Sequence, residues 1–311
     1  MATSSKVAFS VKSLPVGSNE GAHYLALGIV RPTWVKGTNV LIRVSNPATM
    51  ALAPEVSVAI TFVLCTLLSG LAYYRKVLTA DGTMAAFGVG LLIGVFGDVT
   101  WLLLLLFFLV SSFAATRYRF ALKEAMGVQE GARGERRAAN VLANGLAPAV
   151  IALLGFPGFG VPMLDKGTSG VLFVSALAVA GADTLASEIG VLSQRARLIT
   201  NLKPVKPGTD GGVSLLGQGA ALAAALYTGL FGYLVLVPFS QWAGLPISFP
   251  AEPVYLVIPV VVGFLGCQID SVFGATLERR GILDKRTNNL ASTSLGAVLA
   301  LVLFNVLVRL T

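Results

Sequence analysis

The stretch GVLFVSALAVAGADTLASEIG, residues 170–190, is almost wholly apolar for its first thirteen positions and then sets down Asp183, Thr184, Ser187 and Glu188. A run of this kind needs a helix to cross hydrocarbon, because only a helix satisfies its own backbone polar groups there. Carboxylates at the end of such a run are costly, and they mark function more often than structure. Asp183 with Ser187, and Thr184 with Glu188, are four residues apart, so each pair shares one helix face.

The rest of the chain agrees with a membrane setting. Of its 311 residues 55% are hydrophobic and 12% charged, against ~25% charged in soluble domains. Apolar runs long enough to span read at 55–74, 83–97, 99–116, 138–156, 169–186, 213–237, 254–272 and 290–309. Basic residues gather after every odd-numbered run: Arg75 and Lys76; Arg117, Arg119, Lys123, Arg133, Arg136 and Arg137; Arg195, Arg197, Lys203 and Lys206; Arg279, Arg280, Lys285 and Arg286. The even-numbered connections hold almost nothing basic, with Asp98 in one, Lys166 in another and no Lys or Arg in 238–253. That alternation follows the positive-inside rule. It predicts an all-α, polytopic transmembrane helical bundle of about 7–8 spans, with the loops after odd-numbered spans on one face.

Composition also excludes chemistries. His23, the single histidine, precedes the first span, so the membrane part holds none for Ser-His hydrolysis or His-ligated zinc. Cys65 and Cys267 lie inside apolar runs and read as small core residues. The net charge of +8 follows from topology and gives no reason to expect nucleic acid. Residues 1–50 are rich in Ser and Thr, basic and nearly free of acid, which reads as a plastid transit peptide or a disordered leader before a membrane domain at 51–311. The sequence carries nothing on oligomeric state.

The polar motifs share the basic face. NLKPVKPGTDGGVSLLG, 201–217, offers Lys203 and Lys206 as compact charges. Its Gly208, Gly211 and Gly212 let backbone N–H groups approach a phosphate. Asp210 adds a metal ligand, and the span that follows points its N-terminal dipole at the same place. Asp270, in CQIDSVFGATLERRG, 267–281, is a second carboxylate at a span's inner end. Arg117, Arg136 and Arg137, with Asn140 and Asn144, suit bidentate phosphate contacts, although positive-inside anchoring accounts for arginines there too. No GxxxxGK[ST] loop occurs, and GVGLLIG at 88–94 reads as helix packing. Hard oxygen ligands suit Mg²⁺ or another divalent cation. Phosphoryl transfer rests on positioning and charge neutralisation, and a phosphate acceptor, already anionic, needs no strong base.

Residues 182–217, together with VSSFAATRYR, RRAANVLANG and GCQIDSVFGATLERRG, resemble in order the blocks of the TMEM19/DUF92 membrane family. Its D-x-x-A-S-x-x-G pattern, here Asp183, Ala186, Ser187 and Gly190, is similar to that of phytol and dolichol kinases and phosphatidate cytidylyltransferases. The resemblance implies a kinase that passes a phosphoryl group from a nucleoside triphosphate, CTP by analogy, to phytyl monophosphate in a chloroplast envelope membrane. The phytyl diphosphate formed would serve tocopherol and phylloquinone synthesis. It implies nucleotide and metal contacts from Asp183, Ser187, Lys203, Lys206, Asp210, Gly211 and Gly212; the residues themselves make Asp183, Ser187, Glu188 and Lys203 catalytic candidates and Gly208, Arg117, Arg136 and Arg137 further phosphate contacts. Metal positions would be Asp183, Asp210 and Asp270. Two rival readings stand beside it: a kinase for another prenyl alcohol or prenyl phosphate, and an ion-coupled transporter working through Asp183, Glu188 and Asp270.

Overall fold

The computed structural model describes residues 54–97, 99–129, 134–161, 164–239 and 253–310. The expected leader, 1–50, lies outside the described residues, as do Asp98 and Arg133.

Nine helices are described: α1 (Pro54–Tyr74), α2 (Ala80–Leu92), α3 (Val99–Arg117), the short α4 (Phe120–Ala125), α5 (Ala138–Leu154), α6 (Lys166–Gly190), α7 (Leu215–Leu234), α8 (Val254–Phe273) and α9 (Lys285–Leu310). π-helical turns extend α2 to Gly97, α7 to Phe239 and α8 to Glu278. Among these, seven are long and apolar enough to cross a membrane. The remaining apolar run, the fourth, is α5, which holds 17 residues with Pro148 inside it and falls short of that length.

Helix α6 is the axis of the bundle. Within its apolar window 89% of residues are buried, and α3, α5, α7, α8 and α9 all pack on it. Lipid tails give helices no hydrophobic reason to associate, so close van der Waals contact between small residues must hold them. The glycines facing α6 show how close that contact is. A Cβ on Gly266 of α8 would lie 2.3 Å from Val179 Cγ2, and one on Gly232 of α7 would lie 2.4 Å from Val174 Cγ1. Two of the three glycines at 88–94 also pack helices: a Cβ on Gly94 would lie 2.5 Å from Thr61 Cγ2, and one on Gly90 would lie 2.9 Å from Cys65 Sγ, while Gly88 has open space. Both cysteines are free and buried.

Contacts between connections sort the two ends of the bundle. The Leu78 and Arg136 backbones form a bridge, and Thr79 N–H donates to Arg136 O at 3.1 Å, joining the loops after α1 and before α5. Lys123 reaches Glu188 at the end of α6. Gly211, before α7, lies against Ala275, after α8. These are the basic connections, gathered at one end as the charge pattern required. At the other end Lys166 Nζ donates to Phe96 O at 3.3 Å, and the Phe96 ring meets Phe156 and Phe159 edge-on.

Two details depart from the expected outline. Helix α6 continues to Gly190 and α9 begins at Lys285, past the expected ends at 186 and 290, because polar side chains on a helix end are tolerated once they face a cleft and not lipid. The segment between α6 and α7 is also no plain loop. It folds as a three-stranded antiparallel sheet, β1 (Ala196–Leu198), β2 (Pro204–Val205) and β3 (Gly212–Val213), in the order β2-β1-β3. Pro204 stands first in an edge strand, where its missing N–H costs no ladder bond.

Candidate functional site

Where α6, α7 and α8 reach the basic face, a cleft of about 320 Å³ opens. Its floor is the pair Asp183 and Asp270, whose carboxyl groups lie side by side, with both residues at least nine-tenths buried. Asp183 projects from α6 and Asp270 from α8. Ser292 Oγ on α9 donates to Asp270 Oδ2 at 3.0 Å, and Asn288 Nδ2 holds the Asp270 backbone carbonyl at 3.1 Å. Lys285 bears on Asp270 with its charge, and Glu278 stands beside Asn288. Two adjacent buried carboxylates repel, and a cation between them relieves the repulsion.

The wall opposite is main chain. Gly208, Thr209, Asp210, Gly211, Gly212 and Ser214 line it. Gly208 and Gly211 have φ of +83° and +71°, a region that favours glycine. At Gly211 a Cβ would also lie 2.3 Å from Ala275 N, so no side chain fits between this turn and α8. Ser214 caps α7, accepting from Gly217 N–H at 3.1 Å, and its hydroxyl lies 3.1 Å from Gly190 O, pinning the start of α7 to the end of α6. Gly190 and Gly217 permit the crossing, since a Cβ on Gly190 would meet Gly217 Cα at 3.0 Å. The N-terminus of α7 thus faces the cleft beside Gln218, as an anion site requires.

A second cleft, about 380 Å³, adjoins the first and shares Asp183, Ser187 and Lys285 with it. Arg136, Arg137, Asn140 and Asn144 line its far side. Arg136 is 5% exposed, yet its Nε has no hydrogen-bond partner, and neither does buried Asn144 Oδ1.

The structure gathers some expected residues and leaves others aside. Asp183, Ser187, Gly208, Asp210, Gly211, Gly212, Asp270, Arg136 and Arg137 line one cleft or the other. Ser187 is exposed, its hydroxyl turned onto Thr184 O at 3.0 Å. Glu188 borders the cleft, but both its oxygens are engaged: Thr116 Oγ1 donates to Oε1 at 3.0 Å and Lys123 Nζ to Oε2 at 2.5 Å. Glu188 therefore also ties the end of α3 and Lys123 to α6. Lys203 and Lys206 are exposed and line neither cleft, because their hairpin turns them outward. Arg117 lines neither cleft and stacks 5.5 Å above Phe120. Asp210 lines the wall, but among the described residues no three acidic, histidine or cysteine side chains converge tightly enough to hold a metal by themselves.

Two residues escaped the sequence reading as site components. Lys123, fully buried, also donates to Ala115 O at 2.9 Å and Thr116 O at 3.2 Å, closing the end of α3. Lys285 borders both clefts. The sequence held one clue to it: Asp284 and Thr287 form a capping box, so Lys285 and Arg286 open a helix, where the dipole disfavours cations.

Comparison with known proteins fits this architecture. The family model described as integral membrane protein DUF92 matches residues 63–301, and the chain belongs to that family. An uncharacterized membrane protein of Methanocaldococcus jannaschii is 30% identical over 74% of this chain and 87% of its own length. Protein PGR of Arabidopsis thaliana is 32% identical over 76% of this chain and 84% of its own length. Protein VTE6, chloroplastic, also of Arabidopsis thaliana, is 29% identical over 73% of this chain and 65% of its own length. No solved structure matches the chain.

Proposed function

We propose that this multi-pass DUF92 protein is a prenyl-phosphate kinase that transfers the γ-phosphoryl group of a nucleoside triphosphate, CTP by analogy, to phytyl monophosphate in a plastid membrane. The observation that carries the reading is the Asp183–Asp270 pair at the foot of a cleft walled by glycine main chain and the N-terminus of α7. The likeness to a chloroplastic relative supports the plastid setting.

The residues fit a divalent cation. Mg²⁺ is held by one or two carboxylates together with substrate phosphates and water, and rarely by an all-protein cage. Asp183 and Asp270 supply the two carboxylates, and the unpartnered Oε1 of Glu278 faces the same neighbourhood. When bound there, the ion would neutralise charge on the triphosphate oxygens.

The main chain from Gly208 to Gly212 and the first N–H groups of α7 cradle the triphosphate. Lys285 and Arg136 draw the acceptor phosphate from the other side. An acceptor oxygen forms the new bond to Pγ as the bond from Pγ to the bridging oxygen breaks, and the nucleoside diphosphate leaves with that electron pair. The acceptor is already anionic, so no side chain need remove a proton. This suits a site whose Glu188 is engaged and which has no histidine.

The test uses membranes holding the full chain, phytyl monophosphate, Mg²⁺ and γ-labelled CTP or ATP. Labelled phytyl diphosphate is expected, with Asp183→Asn and Asp270→Asn each reducing it by at least about 100-fold while the protein still accumulates. Transfer only to another prenyl phosphate or to a prenyl alcohol would move the substrate and keep the chemistry. No product from any triphosphate and acceptor would end the kinase reading in favour of an ion-coupled transporter.

A further inference from the structure

Between α1, α2, α3 and α5 lies a narrow apolar pocket of about 90 Å³, walled by side chains such as Leu68, Val89, Leu105 and Leu109. Its only charged lining residue is Arg136, which stands at one end with Asn140 and Asn144. Those three residues also line the second cleft, so the apolar pocket and the polar site share a wall. We propose that this pocket seats the first few carbons of the hydrocarbon chain of a lipid-linked monophosphate whose phosphate is held by Arg136, the rest of the chain lying in the seam beside α1. The proposal rests on the kinase reading for the identity of the lipid, and the pocket gives that lipid a place and a direction.

Three observations lead there. Arg136 Nε and Asn144 Oδ1 are both buried and both without a hydrogen-bond partner. Buried polar atoms are seldom left so, and the guanidinium of a residue that lines both cavities is best satisfied by an anion. Asn144 Nδ2 donates to Asn140 O at 3.2 Å, and its Oδ1 can accept from a water in the phosphate's shell. Next, the anchor is rigid. Thr79 N–H and Oγ1 both donate to Arg136 O, at 3.1 and 3.2 Å, and Asp81 Oδ2 accepts from Ala138 N–H at 3.0 Å, capping α5. Finally, α1 leans on α2 and its π-helical extension and meets α3 only lightly. That seam lets a chain enter sideways from the bilayer.

The arrangement brings the two substrates from opposite sides. The lipid phosphate comes from the α1–α5 side and the triphosphate from the hairpin side. They meet at Asp183, Ser187 and Lys285, which border both clefts.

The experiment reads binding, so it needs neither nucleotide nor turnover. The full chain in lipid nanodiscs would be irradiated with a C20 prenyl monophosphate bearing a diazirine on the isoprene unit next to the phosphate. Crosslinks are expected on α1, α2, α3 and α5. Unlabelled prenyl monophosphate should displace them at least about tenfold better than the prenyl alcohol does, the scale of one charge-assisted hydrogen bond, and Arg136→Gln should abolish that preference. Leu105→Trp on α3 and Ala86→Trp on α2, two fillings from different helices, should each remove the C20 crosslink while the melting temperature in detergent stays that of the native chain. Crosslinks confined to α7 and α8, or C20 labelling unchanged in both Trp variants, would overturn the pocket. Crosslinks in the pocket without phosphoryl transfer from any triphosphate would uphold it and remove the kinase, whereas transfer with crosslinks elsewhere would do the reverse.

Discussion

At the scale of single residues, the buried pair Lys123–Glu188 shows how much of the site is scaffold. Lys123 is fully buried and gives its ammonium to Glu188 Oε2, Ala115 O and Thr116 O. It therefore ties the end of α3 to α6 five residues beyond Asp183. Removing one partner strands the other charge, which costs about 3–5 kcal/mol, whereas replacing both with apolar side chains of similar volume is often neutral. Lys123→Met alone should lower the melting temperature in detergent markedly, and Lys123→Met with Glu188→Leu should recover most of the loss. A double variant no more stable than the single one would show that Glu188 does something besides pairing. The sequence could not separate these roles. It shows Glu188 beside Asp183 and Ser187, and the partner 65 positions away becomes visible only once α4 lies beside the end of α6.

At the scale of elements, the apolar runs and the alternating basic loops were legible, because hydrocarbon thickness and the positive-inside rule act on any sequence alike. The hairpin between α6 and α7 was not. Its strands are two or three residues long, too short for period-two patterning, and its register comes from packing against α8 at Gly211. That register turns Lys203 and Lys206 outward although they stand within the motif that lines the cleft. The start of α9 was only half legible: the D-x-x-T box is there, but what Lys285 faces is set by α6 and α8. That box can be tested by pH. The Thr287 side chain, and then its backbone N–H, hold the exposed Asp284 carboxyl below its ordinary pKa. A carboxyl lowered on folding lends stability that is complete above its unfolded value of about 3.9 and is lost as pH falls through the lower folded value. Amide exchange at residues 284–288, measured against pH, should therefore accelerate below about pH 4 in the native chain. In Asp284→Asn that acid-side acceleration should be absent. An identical profile in both chains would mean the box does not hold this helix end.

At the scale of the whole molecule, the two polar clefts open at one end, and ring packing marks the other among the described residues. The basic end gathers four connections, two clefts and the Asp183–Asp270 pair, while at the far end Lys166 caps Phe96 beneath a cluster of phenylalanine rings. An anionic donor and an anionic headgroup would both be drawn to the first end, and the carboxylates at its base become compatible with them once a cation is bound. The sidedness can be measured directly. Cys65 and Cys267 are buried and should not react with a membrane-impermeant maleimide, so added cysteines report alone. Lys203→Cys in the hairpin and Arg280→Cys beyond α8, both at exposed positions, should label from the same side of sealed vesicles. Phe159→Cys, in the connection between α5 and α6, should label only from the other. The first two fall on one side only if an even number of crossings separates them, which α7 and α8 supply. The third falls opposite only if α6 crosses once between Phe159 and the hairpin. Labelling of Lys203→Cys and Arg280→Cys from opposite sides would break the single polar face, and with it the meeting of α6, α7 and α8 on which the proposed site depends.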